Sequence, residues 1–374
     1  MSAGKPFKYG ASAARSETSQ TRPPQTGRDG AVRVMIVDDS LTVRTIFKRM
    51  VESDQRMNVA ATASSAERAI AQLKSTPADV ILLDLEMPGM GGLEALPAIL
   101  ETADGAQVLV VSSLTEDGAE HTMAALSMGA ADTMLKPLPG GFNEQYRNQL
   151  LDKIRALGAD QGIAAAEPAS KPGITGLHKK RPKVIAIGAS TGGIHALNIL
   201  LRTLPAKFDL PILVTQHLPS SFVPVFARQI EVVSARKTNI AEEGTAILPG
   251  EITIATGHGH MEIRKRGDQL VCTSSAKPAP SGCMPSVDPM LSSLSEACDG
   301  RVLAVILSGM GRDGLEGARV LSENGGTIFA QNAETSAVWG MPGAVTKAGL
   351  TSLVAPPEDL AAAIMEQTFA AVHK

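Results

Sequence analysis

Short apolar runs rich in β-branched residues recur along this chain, and an amphipathic stretch follows most of them. No other feature constrains the fold as strongly, because a strand–helix–strand series packs into a parallel sheet covered by helices. VRVMIV, MNVAATA, DVILLDL, QVLVVSS and DTMLKP read as five strands. Between and after them, helix-like stretches fall at Leu41–Glu52, Ala66–Leu73, Leu93–Leu100, Asp117–Met128 and Glu144–Leu157. A second series opens with KVIAIG and continues through PILVTQ, EITIA, RVLAVILSG and GTIFAQ. Its helical stretches fall near Ile194–Thr203, Val287–Ala297, Leu315–Glu323 and Pro357–Ala371. The expected class is α/β throughout: a five-stranded parallel sheet, then a doubly wound, mainly parallel one.

The periodicity stops between the two series. GADQGIAAAEPASKPGITGLHKKRP is rich in Ala, Gly, Pro and Lys and reads as a linker. The first thirty residues are polar, without an apolar core, and read as a disordered extension rather than a signal peptide. The expected division is therefore 1–30 extension, 31–157 first domain, 158–181 linker and 182–374 second domain. A formal net charge of -3 and 3% aromatic residues argue against nucleic-acid binding. No apolar run is long enough to span a bilayer, so no membrane insertion is expected. Cys272, Cys283 and Cys298 are scattered, which argues against a disulfide framework or a zinc site and suits a reducing cytoplasm.

In open α/β sheets the reactive groups gather beyond the carboxyl ends of the strands. In the first series those positions hold Asp38 and Asp39, Asp84, Ser112 and Lys136. Close carboxylates repel and need a cation, and Mg²⁺ suits an all-oxygen set beside phosphate. Asp84 could attack a phosphoryl donor to give an acyl phosphate, with Lys136 and Ser112 binding its oxygens. Any one Asp could be only a helix cap; Asp39, for instance, could cap the helix beginning near Leu41. The joint pattern is what points to phosphoryl chemistry. On these residues the segment from about Ala31 to Leu157 resembles the receiver family of two-component response regulators. The resemblance implies a flavodoxin-like fold, Asp84 as phospho-acceptor, Asp38, Asp39 and Asp84 as Mg²⁺ ligands, and Ser112 and Lys136 as switch groups. Two positions depart from that family: Gly91 stands where an Asp is common, and Thr133 where an aromatic residue is.

In the second series KVIAIGASTGG runs from a strand through a glycine-rich turn into a helix, and Gly188, Ser190 and Gly192 satisfy G-x-S-x-G. A serine before a helix can be a simple N-cap. Two further strand ends change the balance: PILVTQ leads to His217, and RVLAVILSGMGRDG to Asp313. A nucleophile, a base and an acid beyond three strands of one sheet can meet at one edge. Backbone amides near Met310 could bind an oxyanion. GASTGG lacks the full G-x-G-x-x-G spacing of a dinucleotide loop, and His195, His258 and His260 form no metal pattern with a carboxylate.

IGASTGG, QHLP, PSVDPM, LSGMGRDG and AVWGMP together resemble the chemotaxis protein-glutamate methylesterase family, usually called CheB. The resemblance implies Ser190 as nucleophile, His217 as base, Asp313 as its orienter, and Thr191 and Met310 as supporting residues. It implies a carboxylic ester hydrolase without a cofactor in its catalytic domain, acting on methylated glutamates of chemoreceptors and also on receptor glutamines. A histidine kinase is the implied phosphodonor, and the receiver is expected to cover the active site until phosphorylated. Cys283 and Met284 depart from the family, which often has a His and a basic residue there. A binding module with a vestigial triad is the non-enzymatic alternative.

Overall fold

The computed structural model describes residues 30–113, 115–137, 141–159 and 181–369. The expected extension and linker lie almost wholly outside these residues.

The N-terminal elements are β1 (Val32–Val37), α1 (Leu41–Glu52), β2 (Met57–Ala63), α2 (Ala66–Leu73), β3 (Val80–Asp84), α3 (Gly92–Thr102), β4 (Gln107–Ser112), α4 (Glu116–Met128), β5 (Asp132–Leu135) and α5 (Glu144–Gly158). The five strands are parallel, in the order β2-β1-β3-β4-β5. Every residue of β3 is buried, so both faces are apolar and the strand reads as a continuous run rather than an alternation. Ser40, Ser65, Thr115 and Asn143 cap the helices that follow them, each accepting a backbone N–H. The helix α3 is the exception: Gly91 at its N-cap supplies no side-chain bond. With Gly91 at that position the helix lacks a side-chain cap, and the strand-end carboxylates stay in place.

The C-terminal elements are β6 (Val184–Ala189), α6 (Gly193–Thr203), β7 (Ile212–Gln216), α7 (Val223–Ser234), β8 (Thr238–Ile240), β9 (Ile252–Ile254), β10 (His260–Arg266), β11 (Gln269–Ser275), α8 (Val287–Ala297), β12 (Val302–Ile306), α9 (Leu315–Glu323), β13 (Thr327–Gln331), α10 (Met341–Lys347), β14 (Leu353–Ala355) and α11 (Pro357–Phe369). Seven strands form a parallel sheet in the order β14-β13-β12-β6-β7-β9-β8. From β6 the chain builds one half of the sheet through β7 and the other through β12, so the edge beyond β12, β6 and β7 is a topological switch point. Successive residues of β6 feed opposite layers. Ile185 and Ile187 pack with Leu197, Leu200 and Phe226, while Val184 and Ala186 pack with Val287, Leu291 and Ile306. Leu291 is fully buried, and truncating such a side chain to Ala costs about 2–5 kcal/mol.

The sequence pattern did not reveal the antiparallel β10–β11 hairpin, the helices α7 and α10, or the short strands β8 and β14. The outer end of β10 is charged and exposed and β11 is largely polar, so neither carries a long apolar run.

The two sheets are joined by packing. One apolar cluster runs from Met123 and Leu126 on α4 into Leu197 on α6 and Phe226 on α7. Around it, Asn198 Nδ2 donates to Ser127 Oγ at 2.8 Å and Gln229 Nε2 to Met123 O at 3.3 Å. The Arg228–Glu120 pair at 3.2 Å is exposed on both sides, so it contributes at most about 1 kcal/mol.

Candidate active site

At the N-terminal sheet edge the predicted groups converge. Asp38 and Asp84 are buried at 1% and 2% exposure, while Asp39 is exposed. Lys136 Nζ lies 2.6 Å from Asp84 Oδ2 and 2.9 Å from Asp38 Oδ2. Asp84 Oδ1 accepts the Glu86 amide at 3.1 Å, and Asp38 Oδ1 the Ser40 amide at 2.9 Å. Burial pushes the Asp84 carboxyl up to about 6, against the opposing pull of Lys136. Burial alone would lower the Lys136 pKa, but Asp84 and Asp38 outweigh it and the ammonium is held above its ordinary value. Ser112 Oγ is fully buried without a hydrogen-bond partner, and Thr133 Oγ1 is in the same condition.

The fit of this edge to Mg²⁺ rests on its donors. Carboxylate oxygens of Asp38, Asp39 and Asp84 lie within 4.8 Å of one another. Asp38 Oδ2 has the Lys136 ammonium nearby but no well-directed hydrogen bond. An oxygen-only set with an unsatisfied buried atom suits a small hard cation.

At the C-terminal edge, β6 and β7 pair with Ala189 opposite Gln216. Ser190 and His217, the next residue on each strand, are therefore neighbours. Their backbones are tied: the His217 amide donates to Ala189 O at 3.1 Å, and Gln216 Nε2 to Ser190 O at 2.9 Å. The turn depends on two glycines. Gly192 takes a φ of 76°, a region most side chains avoid. A Cβ on Gly309 would come within 2.8 Å of Ser190 Cβ and 2.4 Å of Met341 Sδ, so only glycine lets the β12 loop approach the serine.

Asp313 reaches the same point from beyond β12. His217 Nε2 and Asp313 Oδ2 are 2.8 Å apart. Asp313 is 2% exposed and is held from three sides, because it also accepts Ser286 Oγ–H at 2.6 Å and the Val287 amide at 2.7 Å. The latter donors open α8, so the carboxylate sits where the helix dipole favours an anion. Burial alone would raise the Asp313 pKa, but the bond to His217 and the Ser286 and Val287 donors hold it well below the usual carboxylate range. Burial alone would lower the pKa of His217, but Asp313 and then Cys283 outweigh it and raise it to about 9. Ser190 Oγ makes no hydrogen bond to His217, whose Nδ1 is the nitrogen left for it.

Thr191 and Met310, the other expected residues, flank the serine differently. Met310 is 40% exposed and its amide makes no hydrogen bond among the described residues, which leaves a donor free for an oxyanion. Thr191 Oγ1 instead donates across the domain contact to Asp132 Oδ2 at 2.6 Å, and the Gly192 amide to Ala131 O at 2.5 Å. Lys153 Nζ lies 2.5 Å from the same Asp132 oxygen. The start of β5 therefore rests on the serine turn.

Sequence reasoning missed the groups that hold Asp313. Ser286 lies in the PSVDPM motif, whose resemblance was visible, but its bond to Asp313 spans 27 positions. Behind it, the buried His260 takes the Ser286 amide on Nδ1 at 3.0 Å and pairs Nε2 with Lys277 O at 2.7 Å. These partners require a neutral ring with its proton on Nε2. Of the other histidines, His195 Nδ1 lies 3.3 Å from Ser127 O at the domain contact, and His258 is exposed.

Comparison with known proteins adds the family. Residues 185–364 match the CheB methylesterase family model, and residues 34–141 the response regulator receiver domain model. The protein-glutamate methylesterase/protein-glutamine glutaminase 1 of Paramagnetospirillum magneticum is 38% identical over 367 residues, spanning 90% of this chain and 96% of that one. A second, from Caulobacter vibrioides, is 40% identical over 336 residues, spanning 88% and 96%. The crystal structure of the Thermotoga maritima CheB methylesterase catalytic domain is 32% identical, with a TM-score of 0.48, covering 50% of this chain and 99% of that one.

Proposed function

Because this chain belongs to the protein-glutamate methylesterase/protein-glutamine glutaminase family, we propose that it hydrolyses γ-methyl esters, and the corresponding amides, of glutamyl side chains on chemoreceptors under phosphorylation control. On this reading residues 31–157 are the receiver, 158–181 the linker and 182–374 the catalytic domain. A histidine kinase supplies the phosphoryl group. The observation that carries the reading is the 2.8 Å His217–Asp313 pair beside Ser190, at three neighbouring strand ends.

In the reaction, neutral His217 takes the Ser190 proton at Nδ1, since Nε2 is held by Asp313. Ser190 Oγ attacks the ester carbonyl, and the free Met310 amide donates to the oxyanion. Collapse returns the proton from His217 to the departing methanol, or to ammonia when the substrate is glutamine. Water then attacks the acyl-enzyme with His217 again as base, releasing glutamate.

Mg²⁺ held by Asp38, Asp39 and Asp84 would neutralise charge as Asp84 is phosphorylated. Lys136, now paired to Asp84 and Asp38, would turn to the phosphoryl oxygens, and Ser112 would donate its unpartnered hydroxyl. Lys136 directly follows β5, and Asp132 begins it, about 13 Å away along an extended strand. A shift at Lys136 can thus reach the Asp132–Thr191 contact through one rigid element.

The test is release of methanol and ammonia from methylated receptor membranes by the full chain and by Ser190→Ala. Both products should vanish in the variant. Equal release by the two would contradict the assignment. The missing Ser190–His217 hydrogen bond also fits a vestigial triad, which predicts no release by either protein even with a phosphodonor present.

A further inference from the structure

We propose that Cys283, His217 and Asp313 form a binding site for a soft divalent cation of the zinc class, and that filling it shuts off the hydrolase. Cys283 Sγ, a His217 ring nitrogen and an Asp313 carboxylate oxygen all lie within 4.8 Å of one another. Tetrahedral zinc, with sulfur at about 2.3 Å and nitrogen or oxygen at about 2.0 Å, needs donors about 3.3–3.8 Å apart. A closure of about 1 Å from the outer limit of that cluster meets this requirement.

The thiol is free to make the movement. Cys283 is part-exposed on the segment between β11 and α8; its sulfur has a 3.9 Å contact to Ser281 O and lies close enough to His217 to raise the imidazole's pKa. The other two ligands are already oriented, because Asp313 is fixed by Ser286 and Val287 and holds the imidazole. Cys272 and Cys298 are 1% and 0% exposed, and burial pushes both thiols up to about 11. Cys283 is therefore the one cysteine of the three that a metal ion can reach from solvent.

The donor chemistry sets the cation class. Asp38, Asp39 and Asp84 present oxygen alone and suit Mg²⁺; sulfur with imidazole selects a softer ion. Coordination removes the thiol proton, which passes to solvent. It also replaces the His217–Asp313 hydrogen bond and draws the imidazole into the metal's ligand set. His217 can then no longer accept the Ser190 proton in its catalytic orientation. The inhibitory half of the proposal rests on His217 acting as base; the binding half does not.

Titration of the full chain with Co²⁺, in saturating Mg²⁺ to fill the oxygen site, separates the two halves. The expected result is a thiolate-to-cobalt charge-transfer band saturating at about one equivalent, displaced by Zn²⁺. It should be absent in Cys283→Ser and in Cys283→Ala, with folding of each variant checked by circular dichroism. An oxygen-only site cannot produce that band. In parallel, Zn²⁺ should reduce ester hydrolysis by tenfold or more, reversibly with EDTA, and each variant should need at least tenfold more Zn²⁺ for the same fractional loss. Absence of the band in the wild type, or its persistence in either variant, overturns the site. A band with undiminished hydrolysis, or equal zinc sensitivity in wild type and variants, overturns the switch. A protein that shows the band but never hydrolyses ester contradicts the proposed function, not the metal site.

Discussion

The two strand-end sites of this molecule are built on the same architectural rule and differ in how complete they are. At the N-terminal edge two buried carboxylates share one ammonium, Lys136, with contacts of 2.6 and 2.9 Å. At the C-terminal edge Asp313 and His217 are paired, but Ser190 is not bonded to His217, and its neighbour Thr191 is bonded to Asp132 of the other domain. Asp38, Asp84 and Lys136 are already in contact at the first site, and the second is left one contact short. On the proposed reading, the difference means that a Ser–His–Asp set can be two-thirds assembled while the N-terminal domain holds the residue next to the serine.

Three experiments would break or sharpen that contrast. The largest effect is expected for Asp313→Asn. The amide cannot hold His217 as an anion does, and hydrolysis should fall by about 10³–10⁴-fold. Steady-state methanol release measures it, and a loss under tenfold would remove Asp313 from the mechanism.

Next is pH. The His217 pKa is raised to about 9, and the base must be neutral to act. At pH 7 most of the imidazole is therefore protonated, and kcat/KM should climb by about tenfold per pH unit from pH 6 to 8 before levelling near 9. A profile flat across that range would show that His217 is not the base in the charge state its surroundings impose.

Asp132→Ala tests the contact that separates the two sites. It removes the acceptor of Thr191 and the partner of Lys153. A charged hydrogen bond at a part-buried contact contributes about 1–2 kcal/mol after screening. The unphosphorylated enzyme should therefore become roughly 5–30-fold more active. An unchanged or lower basal rate would mean that the β5 contact does not restrain the serine turn.

Much of this was legible in the sequence, for physical reasons. Strands buried on both faces, such as β3, β6 and β12, must be continuous apolar runs, and residues beyond their carboxyl ends must share an edge. Ser190, His217 and Asp313 could thus be placed together without any contact being known. The β10–β11 hairpin was not legible, because its charged outer half shows no buried periodicity. Ser286 and His260 escaped for another reason: they act through hydrogen bonds across 27 and 26 positions. Cys283 could be seen to depart from a motif, but its approach to His217 depends on how the segment before α8 folds back. The contact of Asp132 with Thr191 joins two domains, and no periodicity within either one encodes it.

The central claim is that Ser190 is a nucleophile restrained by the receiver until Asp84 is phosphorylated. The most direct test is the rate at which a fluorophosphonate probe labels Ser190 in the full chain, with and without acetyl phosphate and Mg²⁺. The account predicts slow labelling that accelerates several-fold with the phosphodonor. It also predicts no acceleration in Asp84→Asn and no labelling in Ser190→Ala. Labelling of equal rate with and without the phosphodonor, in a protein shown to be phosphorylated, would contradict it.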